Sequence, residues 1–145
     1  DLVGFFEDEY KEQVKELEKH SIAHFYGFQS DPRPFYIEAD CVVLPSYHEG
    51  MSNVLLEAAA TGRPVVTSNI PGCRESVENG KSGLLVEVKN KEMLYDAMKE
   101  MLHCSREERE QMGQAGREKM EREFRKEVVV EKTVQSLRGD EKRDF

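Results

Sequence analysis

Three short apolar runs that alternate with helical segments constrain the fold of this chain more than any other sequence feature. Each run has the length of a strand, and continuous apolar runs are typical of strands that are buried on both faces. The connections between the runs and the helices are short. This alternation predicts an α/β fold, with a parallel sheet covered by helices on both faces. The predicted strands are residues 41–44, 65–67 and 84–86, with a helix over residues 53–61.

The N-terminal part of the chain is predicted to contribute further elements. Residues 2–4 are interpreted as the end of a strand, and an amphipathic helix follows through Leu17. Residues 22–26 are predicted as a short strand, and residues 34–39 as a short helix with a proline in its first turn.

The C-terminal part is predicted to be helical. Asn90 is placed to cap one helix, and the Ser105–Glu108 pair forms a capping box that opens another. Apolar residues at positions 128–137 are expected to give a last helix one face to bury. We therefore expect an α/β domain over residues 1–104 whose first strand is incomplete, and a helical extension over residues 105–145 that packs on it.

Composition excludes several classes of function. The chain has 145 residues, of which 29 are acidic and 21 basic, for a net charge of −8. Nucleic-acid binders usually present a basic face, so we exclude nucleic acid as a partner. No apolar run approaches the roughly 20 residues that a membrane-spanning helix needs. The cysteines Cys41, Cys73 and Cys104 are odd in number and lack metal-ligand spacing, so we interpret them as reduced thiols of a cytoplasmic protein.

The loop before the predicted helix at residues 53–61 is the best candidate for a ligand site. In an open parallel sheet, ligands bind beyond the carboxyl ends of the strands, where loops lead into helix N-termini. First-turn amides have no intrahelical acceptor and the helix dipole adds partial positive charge, so this position suits a phosphate. Gly50 lets the backbone approach a ligand closely, and Ser52 is placed as the N-cap.

Two carboxylates flank this candidate phosphate site. Glu49 lies in the loop, and Glu57 lies inside the helix on the same face as Asn53. Because Glu57 is the only charged residue of the segment 54–60, it must face solvent or a ligand. The spacing alone leaves both of these possibilities open.

The residues around this loop resemble the signature of the family-four retaining glycosyltransferases, which have the GT-B fold. Residues 44–66 carry the resemblance, with the E-x7-E pair at Glu49 and Glu57. The resemblance covers about residues 1–104 and implies that they form the Rossmann-like C-terminal half of a GT-B fold. Further motifs agree in order, at Tyr26-Gly27-Phe28, Ala39-Asp40, Pro71-Gly72-Cys73-Arg74-Glu75 and residues 78–86.

The resemblance implies that the chain binds a nucleotide-sugar donor, with a UDP-sugar as the expected donor. It gives Glu49 the catalytic role of contacting the donor-sugar hydroxyls, and Glu57 the role of holding the nucleotide ribose. The loop at Gly27 and Phe28 is expected to border the base. Transfer to an acceptor hydroxyl would retain the anomeric configuration and would use neither a metal nor a cofactor. The amides expected to hold the diphosphate are those of Gly50, Met51, Ser52 and Asn53.

The resemblance also places parts of the enzyme outside these residues. Family members clamp the diphosphate with an Arg and a Lys that precede the strand ending at Gly4, and their acceptor domain lies earlier still. We therefore expect the isolated chain to bind donor weakly and to be inactive, with a glycan or lipid-linked acceptor held by the missing N-terminal domain. The nearby bases Arg63, Arg74 and Lys81 are interpreted as solvated loop charges.

Two other interpretations stay open at this point. A non-catalytic nucleotide-sugar binding or interaction module would keep Glu49 and Glu57 without turnover. A related GT-B enzyme, such as a glycogen-synthase-like transferase or a sugar-nucleotide epimerase, would share the fold. The expected process is synthesis of a polysaccharide or lipid-linked glycan in the cytoplasm, and peripheral association of the full-length protein with the membrane is left open.

Overall fold

The computed structural model describes residues 1–140, so the last five residues of the expected 105–145 extension lie outside the described residues. The chain divides into two compact units, Asp1–Phe35 and Tyr36–Phe145. The strands are β1 (Val42–Leu44), β2 (Val65–Ser68) and β3 (Gly83–Val86). The α-helices are α1 (Lys11–Lys19), α2 (Arg33–Glu38), α3 (Asn53–Ala60), α4 (Lys91–His103), α5 (Arg106–Glu123) and α6 (Lys126–Asp140), with 3₁₀ turns at Asp8–Tyr10 and Arg74–Ser76.

The sheet of the second unit is parallel, with the order β1-β2-β3. Val43 lies opposite Val66, and Val66 lies opposite Leu84. All four residues of the central strand β2 are buried, which agrees with its continuous apolar character. The predicted α/β class with a parallel sheet is confirmed, and the strands predicted at residues 41–44, 65–67 and 84–86 are each found within one residue at either end.

Alternate residues of the strands face two separate apolar clusters, because side chains of a strand point to opposite faces in turn. Val65 belongs to one cluster with Leu55 and Ala58 of α3. Val66 belongs to the other with Ala97 and Met101 of α4. Helices therefore cover both faces of the sheet, as the alternation of runs and helices predicts.

Helix α5 packs against α3 through glycine. A Cβ atom on Gly113 would lie 1.9 Å from the carbonyl oxygen of Gly62, so only glycine allows this approach. Gly116 is also buried, but a Cβ there would meet Ala59 and Ser82 at an ordinary 3.6 Å. The capping box is confirmed, since Ser105 Oγ accepts the Glu108 amide at 3.2 Å and Glu108 Oε2 accepts the Ser105 amide at 2.6 Å.

The last helix differs from expectation. Val129, Val130, Val134 and Leu137 of α6 are 39–65% exposed, so the face that the sequence marks for burial stays accessible within the described residues. Val128 alone of the valine run is half-buried. Asn90 behaves as predicted at the start of α4, where its Oδ1 accepts the Met93 amide at 2.9 Å.

The first unit contains less strand than its sequence suggests. The segments predicted as strands at residues 2–4 and 22–26 meet in one isolated parallel bridge between Leu2 and Phe25. Beyond it, Gly4 and Gly27 have φ values of +130° and +66°, outside the extended region, so the ladder cannot continue. Ring pairs add packing there, with Phe6 against Phe25 at 4.6 Å and Tyr26 against Phe35 at 4.9 Å between ring centroids.

Candidate functional site

The carboxyl ends of the three parallel strands lie at one edge of the sheet, and the loop of residues 45–52 starts there. Thr67 of β2 donates its hydroxyl to the carbonyl of Leu44 at 2.8 Å, which fixes the end of β1 where the loop begins. Ser46 then donates its hydroxyl to Glu49 Oε1 at 2.8 Å. Glu49 is exposed, so this bond orients a carboxylate that faces solvent at the edge of the sheet.

The loop leads into α3 with Ser52 at the N-cap position, as predicted, but the Ser52 hydroxyl does not bond to a first-turn amide. Among the hydrogen bonds found within residues 1–140, none uses the backbone N–H groups of Gly50, Met51 or Asn53. All three residues are exposed. Unpaired amides at a helix N-terminus carry partial positive charge, so this arrangement is suited to an anion such as phosphate.

The amide of Ser52 has a different role. It donates to the carbonyl of Gly72 at 3.1 Å, in the turn that follows β2. Gly72 has φ +87°, and a Cβ there would lie 1.5 Å from the carbonyl oxygen of Gly50. The next residue, Cys73, is fully buried in the core, and burial raises the pKa of its thiol. The turn at Gly72, which is anchored in the core by Cys73, therefore fixes the position of the loop. We call this contact between the turn and the loop the brace at Gly72.

Glu57 lies on the exposed face of α3, one turn in from the loop. Tyr36 of α2 is buried and contacts it: burial, then the negative charge of Glu57 and a hydrogen bond to its carboxylate, raise the pKa of Tyr36 to about 12. The Tyr36 hydroxyl therefore keeps its proton to a more alkaline pH than an exposed tyrosine does. Glu57 faces solvent, which confirms the first of the two expected alternatives, solvent or a ligand.

The basic residues near the site behave differently from one another. Arg63 is half-buried and donates from Nη2 to the Ile37 carbonyl at 2.5 Å, so its interpretation as a solvated loop charge is wrong. The sequence gives no local sign of this bond, because its partner lies 26 residues away. Arg74 and Lys81 are exposed charges, as expected, and pair with Glu75 at 3.7 Å and Glu78 at 2.8 Å.

Sequence reasoning missed one cation beside the loop. Lys89 follows β3 and places its Nζ 5.9 Å from the centroid of the Tyr47 ring, within the range of a cation–π contact. Because β3 is parallel to β1, its carboxyl end brings Lys89 to the same edge of the sheet. The alternation of strands contains this information, but only once the sheet order is known.

Gly27 and Phe28 belong to the first unit. Gly27 adopts φ +66°, and its carbonyl accepts the Gly4 amide at 2.9 Å. Phe28 is 63% exposed and stacks on Phe5, with ring centroids 5.1 Å apart and planes 9° apart. The remaining predicted residues, Glu49, Gly50, Met51, Ser52, Asn53 and Glu57, come together in the second unit.

Residues 1–140 contain neither a metal site nor a membrane-spanning helix. No group of three or more His, Cys, Asp or Glu side chains is arranged to hold a metal ion. None of the helices in this part of the chain combines the length and apolar character that a membrane span needs.

Comparison with known proteins places this geometry among glycosyl transferases. Residues 2–119 match the family model "Glycosyl transferases group 1". The capsular polysaccharide biosynthesis glycosyltransferase CapM of Staphylococcus aureus is 32% identical over 102 residues, which cover 70% of this chain and 27% of CapM. A GDP-mannose-dependent alpha-(1-6)-phosphatidylinositol monomannoside mannosyltransferase of Mycobacterium tuberculosis is 38% identical over 93 residues, which cover 64% of this chain and 24% of that protein.

A solved structure shows the same fold. The crystal structure of Anabaena Alr3699/HepE in complex with UDP aligns with a TM-score of 0.79 at 22% identity, over 95% of this chain and 40% of that one. This chain thus spans about a quarter of the length of the two curated relatives and two fifths of the solved one.

Proposed function

Because this chain belongs to the group 1 glycosyl transferases, we propose that it forms the donor-binding site of a glycosyltransferase, at the loop of residues 45–52 and the start of α3. One observation carries the proposal. In the sequence, the exposed amides of Gly50, Met51 and Asn53 stand between the carboxylates of Glu49 and Glu57. Amides suit a diphosphate and carboxylates accept from hydroxyls, so the row matches the chemical order of a nucleotide sugar.

We assign each residue a role on this basis. Glu49, oriented by Ser46, accepts from hydroxyls of the donor sugar, and Glu57 accepts from the ribose. The diphosphate contacts fall to the amides of Gly50, Met51 and Asn53. Ser52 contributes by holding the loop instead, because its own amide is bonded to Gly72.

We assign the donor base as uracil, the base of uridine. We assign its contacts to the loop at Gly27 and Phe28. The complex of HepE with UDP supports a uridine donor, and the exposed ring of Phe28 suits contact with a planar base. The mycobacterial relative is named for GDP-mannose, so guanosine is the alternative that an experiment must exclude.

The proposed reaction breaks the bond between the anomeric carbon and the diphosphate oxygen, and forms a bond from that carbon to an acceptor oxygen with retention of configuration. The acceptor proton is released to the departing diphosphate or to solvent. Negative charge grows on the diphosphate as its bond to the sugar breaks. Amides fixed at a helix N-terminus stabilise this charge without reorganising. No metal or cofactor has a role in this scheme.

The acceptor and the location extend the proposal to the whole protein. The relatives are named for capsular polysaccharide and for a phosphatidylinositol mannoside, which supports a glycan or lipid-linked acceptor. We propose that the whole protein works in the cytoplasm, at the cytoplasmic face of a membrane. The free thiols of Cys41, Cys73 and Cys104 fit the reducing cytoplasm. The 145 residues alone are proposed to bind donor without transferring sugar.

The test is an NMR titration of the ¹⁵N-labelled chain with UDP and, separately, with GDP. UDP is expected to shift the amide signals of Gly50, Met51 and Asn53 at lower concentration than GDP does. If neither nucleotide moves these signals at millimolar concentration, the donor site is wrong. If GDP moves them at lower concentration than UDP, the site stands and the assignment of uridine is wrong.

A further inference from the structure

The turn after β2 controls where the loop amides lie. The Gly72 carbonyl accepts the Ser52 amide at 3.1 Å, and the Gly72 Cα is packed directly on the carbonyl of Gly50. Gly50 and Ser52 flank Met51, and Ser52 directly precedes Asn53. Any change in the orientation of Gly72 is therefore passed to the three amides that the proposed function assigns to the diphosphate.

Gly72 is itself held by a side chain. Its backbone N–H donates to Glu75 Oε2 at 2.7 Å. The other carboxylate oxygen, Oε1, lies 3.7 Å from Arg74 Nε, which keeps the carboxylate in this orientation. The turn around it is closed by the Ile70 carbonyl, which accepts the amides of Cys73 at 3.2 Å and Arg74 at 3.0 Å.

The two peptide groups that meet at Gly72 are thus fixed from opposite sides. Glu75 holds the peptide that precedes the Gly72 Cα, and Ser52 holds the peptide that follows it. Glycine at φ +87° has little steric resistance to rotation, so these hydrogen bonds determine its conformation. We propose that Glu75 is a positioning residue for the diphosphate-binding amides, acting through Gly72 without touching the ligand. This inference rests on the proposed function.

The experiment measures binding of UDP, inorganic pyrophosphate and uridine to the 145-residue chain by NMR and calorimetry. Glu75→Ala is expected to weaken UDP and pyrophosphate about tenfold, the effect of losing a hydrogen bond to a charged group. Uridine, which lacks the diphosphate, should bind within about twofold of wild type because its contacts do not involve the braced amides. Glu100→Ala is the matched control, since Glu100 is an exposed helical glutamate of α4, and it should leave all three affinities unchanged.

Two conservative variants separate this role from a general loss of stability. Glu75→Gln keeps an acceptor oxygen at the same reach and should bind UDP within about threefold of wild type. Glu75→Asp keeps the charge but shortens the side chain, and should lose as much UDP affinity as Glu75→Ala. If Glu75→Ala does not fold, the comparison of Gln with Asp decides the question.

The outcomes distinguish a failure of the proposed donor site from a failure of the role given to Glu75. If the wild-type chain binds neither UDP nor pyrophosphate, the proposed function fails and this inference fails with it. If the wild type binds and Glu75→Ala or Glu75→Asp binds equally well, only the role of Glu75 is wrong. An equal loss for uridine and UDP, or a Gln variant as weak as Ala, also overturns it.

Discussion

The buried phenol of Tyr36 lies beside the carboxylate of Glu57, the exposed acid that we assign to the ribose. Burial of the ring disfavours ionisation, and the adjacent negative charge disfavours it further. The exposed carboxylate of Glu57 therefore has a neutral, protonated phenol as its neighbour on the protein side. Two consequences can be measured.

The first prediction concerns alkaline pH. The folded pKa of Tyr36 is raised from 10.0 to about 12, so the folded state keeps a proton that the unfolded state loses. The contribution of Tyr36 to stability is therefore constant below about pH 10 and is lost as pH rises from 10 to 12, at a rate of at most about 1.4 kcal/mol per pH unit. Tyr36→Phe removes this contribution, so its urea-unfolding free energy should decline less steeply above pH 10.

The thiol of Cys41 has to be considered in the same experiment. The pKa of Cys41 is raised from 9.0 to about 12, mainly because the thiol is buried. The contribution of this thiol to stability is therefore lost progressively as pH rises above about 9. Tyr36→Phe should consequently leave the decline between pH 9 and 10 intact. An identical slope for both proteins above pH 10 would show that Tyr36 is not the titrating group.

The second prediction separates ribose from phosphate recognition. Glu57→Ala should weaken UDP and uridine about tenfold or more, because both ligands contain the ribose hydroxyls. Pyrophosphate should bind as it does to wild type, since the loop amides are unchanged. UDP weakens in both variants, but the effects on uridine and pyrophosphate are exchanged relative to Glu75→Ala, and calorimetry with the three ligands tests both. Equal loss of pyrophosphate binding would contradict the role given to Glu57.

The third prediction concerns the contact between α5 and α3. Gly113→Ala places a methyl group 1.9 Å from the Gly62 carbonyl oxygen, and overpacking of this kind costs about 1–3 kcal/mol. Gly116→Ala meets its neighbours at 3.6 Å and gains about 1 kcal/mol of helix propensity. Chemical denaturation should therefore give opposite signs for two equivalent changes one turn apart. Equal effects at the two positions would refute this packing.

The fourth prediction concerns Arg109 at the start of α5. Its guanidinium donates to the carbonyls of Met101 and Cys104 at the end of α4, and its Nη2 lies 3.1 Å from Asp40. Arg109→Ala leaves these carbonyls without their donor, so we expect a loss of about 1–3 kcal/mol. Asp40 is 83% exposed, and Asp40→Asn should cost less than about 1 kcal/mol. Thermal unfolding of both variants tests whether the helix end or the ion pair dominates.

The sequence predicts those parts of the molecule in which short-range pattern and packing agree. The apolar run at residues 42–44 reads as a buried strand because both of its faces are covered, and Ser105 reads as a cap because its partner is three residues away. At residues 22–26 the same reasoning fails. That segment forms one isolated bridge, between Phe25 and Leu2, and the positive φ of Gly4 and Gly27 takes the backbone out of a regular strand beyond it.

The candidate site divides in a similar way. Glu49, Gly50 and Glu57 are predicted from a local motif and stay a prediction, whereas the contact between Ser52 and Gly72 joins residues 20 positions apart and has no local signal. Ser52 shows the limit most directly. Its position as an N-cap is predicted, but the bond from its amide to Gly72 depends on how the next strand places its turn.

The brace at Gly72 acts on the loop through main-chain atoms. The backbone shape of the loop is therefore independent of the chemistry of its exposed side chains. The carbonyl of Gly50 and the amide of Ser52 set the shape of the loop. The side chains of Tyr47, His48 and Met51 project outward and are exposed. Substitutions at these three positions are therefore expected to change the outer surface of the loop without moving the amides that we propose for the diphosphate.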